Sequence, residues 1–140
     1  MPLTTDTKME ILELYSRYHT ATDTEDTEAW LDTWADDGIF ERPDGTSRGK
    51  DELKRFEIDF RKMSHGKRNL VTNVMSDGDG DKAECTAYLT VIEATEIPQV
   101  VVTSMYHDTL VKVDGAWKFA HRRQKIDPGF QKAQEAQGKQ

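Results

Sequence analysis

The sequence predicts an α+β domain, with helices first and a curved antiparallel sheet after them. Three observations carry that expectation. Apolar residues recur at spacings of three and four as far as about Met63, which is the helical period. After Gly66 they alternate, which is the strand period. The later segments are joined by tight turns, Asp77-Gly78-Asp79-Gly80 and Asp114-Gly115, and links that short connect antiparallel neighbours. Helices followed by a run of strands pack on one face of the sheet.

Taken in order, Thr5 to about Thr22 reads as the first helix. Met9, Ile11, Leu12, Leu14, Tyr15 and Tyr18 fall on one broad face, Asp6 is placed to cap the start, and Thr20-Ala21-Thr22 continues it poorly. A short helix over about Thr27–Trp34 follows, with Ala29, Trp30 and Trp34 apolar and Asp36-Asp37-Gly38 as its stop. Ile39-Phe40-Glu41-Arg42 reads as a brief strand closed by the turn Pro43-Asp44-Gly45. A third helix, about Lys50–Met63, sets Leu53, Phe56, Phe60 and the less well aligned Ile58 among charged residues. Four strands then form a meander: Arg68–Ser76, Lys82–Glu93, Val100–Val113 and Ala116–Ile126. The looser turn Glu96-Ile97-Pro98-Gln99 joins the middle two. Residues 1–128 make the domain, and the polar tail 129–140 is expected to be disordered.

Composition narrows the function classes. With 140 residues the chain fits one domain. Lys and Arg number 19 against 26 Asp and Glu, a net charge of −7, so no basic stripe is available for nucleic acid. The longest apolar run is three residues, far short of the roughly 20 that span a membrane. Residues 1–25 carry charges throughout, so no signal peptide is expected. Cys85 is the only cysteine, which excludes an internal disulfide and points to a reducing, cytoplasmic compartment.

Phosphate loops, nucleophile elbows and paired-cysteine metal motifs are absent from the sequence. The run Asp77–Asp81 opens like a calcium loop, but Lys82 stands where glycine is needed and Tyr88 where a bidentate glutamate is needed, so it reads as a hairpin turn. The histidines His19, His65, His107 and His121 lack the i, i+4 spacing of a helical zinc pair, and no metal or other cofactor is expected. What remains is a polar set at positions that the pattern buries in part. Tyr18 and Asp23 close the first helix. Asn69, Val71 and Asn73 share one face of the first long strand, and Tyr106, Asp108 and Leu110 one face of the third. On the last strand Lys118, Ala120 and Arg122 point one way and Trp117, Phe119, His121 and Arg123 the other. An unpaired buried polar group costs about 1–3 kcal/mol, so this set lines a cavity, faces water, or meets a second copy.

The order of these residues carries a resemblance. Tyr15 and Tyr18, Asp23 and Asp26, Trp30, the run Trp34-Ala-Asp-Asp-Gly-Ile-Phe40, and Gly49 come first. Arg68-Asn-Leu-Val-Thr-Asn73, Tyr106-His-Asp108-Thr-Leu, Asp114-Gly-Ala-Trp117-Lys-Phe119, Arg122 and Asp127 follow. Over about residues 8–128 the chain resembles the SnoaL-like family of the NTF2-like superfamily. The resemblance implies a helix-filled cone, a bent sheet around three N-terminal helices with a pocket at the open end, and a homodimer or higher homo-oligomer. The nearest layout is that of scytalone dehydratase and hexachlorocyclohexane dehydrochlorinase, in which an Asp after the first helix orients a proton-abstracting His. Asp23 matches that Asp, Arg122 a cavity arginine, and Tyr18 a cavity position one turn before the Asp. Asn69 stands at the histidine's place, and a carboxamide has no basic lone pair at neutral pH.

The resemblance thus implies a cofactor-free lyase, dehydratase or isomerase acting on a small hydroxylated aromatic molecule. Asp23, Tyr18 and Arg122 are the catalytic candidates; Asn69, Asn73, Tyr106, Asp108 and His65 are the substrate-binding ones. Each has a structural reading beside it. Asp23 also suits a cap, His65 an exposed loop, Arg122 a buried charge held by Asp108 or Asp23, and the three tryptophans the core. The alternatives in function are a non-catalytic small-molecule binder, which Asn69 favours, and the small subunit of a ring-hydroxylating dioxygenase.

Overall fold

Along the computed structural model, which describes residues 2–130 and residue 132, the helical period becomes α1 (Thr5–Asp23), α2 (Thr27–Asp32) and α3 (Gly49–Ser64). Between α2 and α3 lie β1 (Trp34–Arg42) and β2 (Gly45–Arg48). The alternating half becomes β3 (Lys67–Asp79), β4 (Lys82–Glu93), β5 (Val100–Val113) and β6 (Ala116–Ile126). The sheet order is β2-β1-β6-β5-β4-β3; β1 runs parallel to β6 and the other neighbours are antiparallel. The sheet is curved and open, and the helices pack inside the curve, α1 against β3 and β6 and α3 against β1 and β2.

Several expectations are corrected here. Thr4, not Asp6, caps α1, its hydroxyl accepting from the Thr7 amide at 3.1 Å. The helix runs through Thr20-Ala21-Thr22 to Asp23, because Ala21 and Thr22 are buried and the Thr22 hydroxyl bonds back to the Tyr18 carbonyl at 3.3 Å. Trp34 belongs to β1, not α2, and Asp36-Asp37-Gly38 lies within that strand instead of ending a helix. The register of β1 on β6 shifts between Trp34 and Ile39. Gly38 makes the shift possible, since a Cβ there would meet Trp34 at 2.7 Å. Strand β2 has no counterpart in the alternation, because four residues with one buried side chain leave no period to see. In the tail, Phe130 bonds back to Asp127 at 3.0 Å; the expectation for residues 131 and 133–140 lies outside the described residues.

Two bulges decide which side chains face inward. Thr72 pairs with Tyr88 and Met75 with Thr86, so Asn73 and Val74 together oppose Ala87. Asn73 takes the left-handed conformation (φ 55) and is exposed, while Val74 turns inward onto the core. On β6, His121 pairs with Thr109 but Phe119 with Leu110, which leaves Ala120 as the extra residue. Trp117, Phe119 and Arg122 are therefore all buried, where strict alternation would separate Arg122 from the other two.

The core is aromatic. Tyr15, Tyr18, Trp30, Trp34, Phe40 and Phe119 are at most 4% exposed, and Tyr18 packs edge-on to Phe119 with centroids 5.2 Å apart. Such pairs add about 0.5–1.5 kcal/mol beyond their area. No helix among the described residues is long and apolar enough to cross a membrane.

Candidate active site

The open end of the curve encloses a cavity of about 380 Å³, within the range that holds small ligands. Its walls are mostly hydrocarbon. Trp30 comes from α2, Phe40 from β1, Phe56, Phe60 and Met63 from α3, Leu89 and Val91 from β4, and Val102 and Tyr106 from β5. Into this apolar space project Tyr18, His19 and Thr22 from α1, Glu57 and Ser64 from α3, Asn69 from β3 and Gln124 from β6.

The polar set divides into two layers. Tyr18, Tyr106 and Asn69 line the cavity; Arg122, Asp108 and Asp23 stand behind them. Arg122 and Asp108 have no exposed surface and form a two-pronged pair, Nε to Oδ1 and Nη2 to Oδ2, both at 2.9 Å. Tyr15 donates its hydroxyl to the same Asp108 carboxylate. Burial alone would pull the Arg122 guanidinium down, but Asp108, with Tyr106 and Tyr18, more than reverses it and holds the group well above its ordinary range. The guanidinium lies 3.5 Å from the Tyr106 ring centre and 4.4 Å from that of Tyr18. The sequence left Arg122 to Asp108 or Asp23, and Asp108 holds it. The pair braces the rings that form the cavity floor.

Asp23 and Asn69 form the second linkage. Asn69 donates its side-chain amide to Asp23 Oδ1 at 2.7 Å and its backbone N–H to the same oxygen at 3.1 Å. Burial raises the Asp23 carboxyl, while these bonds and Arg68 pull it back. The geometry is that of a carboxylate orienting a partner, with an amide in the partner's position. The remaining amide N–H and oxygen of Asn69 are left for a ligand. His65 and Asn73 are not brought to the cavity. The His65 ring bonds to Glu25 at 2.8 Å in an exposed pair, and the bulge turns Asn73 to solvent.

Sequence reasoning missed two residues. His19 is 4% exposed, its ring stacked on Tyr106 with centroids 5.8 Å apart, and its Nε2 has no partner among the described residues. Burial, assisted by Arg122, holds this imidazole well below its ordinary 6.5, so it is neutral at pH 7. Glu57 is 1% exposed and its Oε2 also lacks a partner among the described residues. Burial pushes its carboxyl from 4.5 up to about 7, against the pull of Arg61. The signal for Glu57 was legible. It stands with Leu53, Phe56 and Phe60 at spacings of three and four, whereas Ile58, assigned to that face, is 46% exposed. The signal for His19 was its place directly after Tyr18 on a helix whose inner stripe includes Tyr15 and Thr22.

A family profile described as a SnoaL-like domain matches residues 4–123. Among solved structures, a protein of unknown function with a cystatin-like fold from Nostoc punctiforme superposes with a TM-score of 0.87 at 32% identity, covering 91% of this chain and 96% of that one. A candidate scytalone dehydratase from Novosphingobium aromaticivorans superposes at 0.76 with 22% identity, covering 89% of each chain. LinA superposes at 0.75 with 19% identity, covering 87% and 86%. Among curated proteins none matches. The fold, a bent sheet with helices at the N-terminal end, is thus shared across matches that span nearly the whole length. The chain belongs to the SnoaL-like domain family, on the NTF2-like, cystatin-like fold.

Proposed function

We propose that the protein is a cofactor-free lyase, dehydratase or isomerase that works by acid–base chemistry on a small hydroxylated aromatic molecule in the cone cavity. The observation that carries this reading is the unpaired polar groups of His19 and Glu57 set in an enclosed wall of aromatic and aliphatic side chains. A desolvated carboxyl with an oxygen that no protein donor satisfies is costly to keep, and proton transfer is a use for it. The named likeness to a scytalone dehydratase agrees with the reading at the level of fold.

The roles follow from position. Asn69, anchored by Asp23, hydrogen-bonds a substrate oxygen. Tyr18, whose phenol is pushed up to about 12 by burial, keeps its proton at neutral pH and donates to developing negative charge. Asp23 acts through Asn69, and Arg122 with Asp108 through Tyr18 and Tyr106; these three are positioning groups. The reading includes a cytoplasmic protein, consistent with the buried free thiol of Cys85. It also includes a homodimer, which the apolar Leu70, Met75 and Tyr88 on the outer side of the sheet support.

Mass spectrometry of a panel of hydroxylated aryl ketones and aryl-propanoids incubated with the purified chain tests the reading. Loss of water or isomerisation is expected, slowed in Asp23→Asn and Tyr18→Phe. Unchanged turnover in both variants defeats the assignment of roles. Asn69 in place of a base favours a second reading, a binder without catalysis; tight binding with no turnover across the panel would establish it.

A further inference from the structure

We propose that Glu57 carries the proton in this cavity, taking it from a C–H bond beside a carbonyl of an aromatic ketone and returning it to the same molecule. The proposal rests on the acid–base reading above and names the proton carrier that reading lacks.

The geometry begins with α3, whose inner stripe Leu53, Phe56, Glu57 and Phe60 puts one carboxyl among hydrocarbon. Such a group is costly to bury without a partner, and Oε2 has none among the described residues. It shares the cavity wall with Tyr18, His19 and Asn69. Asp23, the acid expected from the family layout, does not line the cavity and is occupied by Asn69. Asp44, the other carboxyl at the wall, is exposed and paired with Arg42, so Glu57 is the buried carboxyl that a bound molecule meets.

The surrounding charges leave it near neutrality. Arg61, one turn along α3, is the cation that acts on it, and its pull is weaker than the effect of burial. From α1, Tyr18 and His19 both present uncharged rings at pH 7. Arg42 of β1 is tied to Asp44 and Ser47, and Lys67 of β3 to Glu93. Arg122 lies behind Tyr18 and Tyr106, held by Asp108. Both protonation states of Glu57 are thus populated at neutral pH, as a proton carrier requires.

The step balances within one substrate. The C–H bond breaks, Glu57 takes the proton, and the electron pair moves into an enolate whose oxygen accepts from Tyr18 or Asn69. In an isomerisation the proton returns to another carbon. In a dehydration the β C–O bond breaks and the proton leaves with the hydroxide as water.

The test follows deuterium uptake into 2-tetralone, an aromatic ketone with acidic C–H bonds, by NMR in D₂O with the full chain. The proton on Glu57 exchanges with D₂O at the open end of the cavity over repeated turnovers, so uptake is expected above the buffer rate, rising through a midpoint near pH 7. Glu57→Gln should lower it by about 10²–10⁴-fold, with affinity for 2-tetralone, read from quenching of tryptophan fluorescence, unchanged. Glu57→Asp should keep the pH limb at a reduced rate, and circular dichroism checks that both variants fold. Wild-type uptake in Glu57→Gln overturns the role of Glu57 and leaves the acid–base reading standing. No uptake above buffer in the wild type overturns both.

Discussion

Replacing Glu57 by Gln should stabilise the protein at high pH and not at low pH, and the size of the effect can be worked from the site. In the folded chain the carboxyl titrates at about 7, against an ordinary 4.5. Between those values the folded state holds a proton that the unfolded state has lost, so stability falls as pH rises through that window. At about 1.4 kcal/mol for each tenfold, the full penalty above pH 7 is about 3 kcal/mol. Glu57→Gln cannot ionise and escapes it. For 140 residues the unfolding entropy is about 0.3 kcal/mol/K, so 3 kcal/mol corresponds to about 10 °C. Melts of both proteins from pH 4 to 8.5, followed by circular dichroism, should show a difference in Tm that grows by about 10 °C across the range. Titrations of other groups cancel in that difference. A constant difference, or a variant that loses ground as pH rises, refutes the claim that Glu57 is buried without a partner.

Three further outcomes are expected. Asp108→Asn strands the Arg122 charge in the core, which costs about 3–5 kcal/mol and should lower Tm by about 10–17 °C; a thermal melt within 2 °C or so of the parent would remove the brace from the account. Cys85, buried and with its thiol pushed up to about 12, should not react with Ellman's reagent at pH 8 until denaturant is added. Asn69→His places an imidazole against Asp23 and should raise deuterium uptake into 2-tetralone at least about tenfold; no gain in a folded variant argues against Asp23 as a positioning group.

What the sequence revealed and what it hid follow from the same physics. Strands β4, β5 and β6 were legible to their ends because alternation is a local rule and their turns carry glycine or proline. Inward direction was not legible past a bulge. A bulge adds one residue without changing the composition, and it moved Asn73 out of the expected face and Arg122 onto the side of Trp117 and Phe119. The sequence alone places Trp34 in α2, because an aromatic four residues after Trp30 fits a helix as well as the strand that it starts. The Asp23–Asn69 contact was implied by resemblance, and the structure puts it at 2.7 Å. Glu57 stood in plain sight on an apolar stripe. A charged residue on such a stripe is ordinarily solvated, and a buried carboxyl is the kind of exception that marks a site.

Penalty and reactivity at Glu57 are two descriptions of one quantity. The roughly 3 kcal/mol by which burial disfavours the carboxylate is the amount by which it is made more eager for a proton. Asp23 is raised by burial too, but its reserve is smaller, since the N–H groups of Asn69 stabilise its ionised form. An amide at position 69 and a bare acid at position 57 are thus complementary. The amide can hold a substrate oxygen without competing for the proton, and the acid can take the proton without being quenched by a donor. A ligand that offers a hydroxyl to Glu57 would stabilise the carboxylate and lower its affinity for the proton. The substrates that fit are therefore those that turn a C–H bond, not an O–H bond, toward α3.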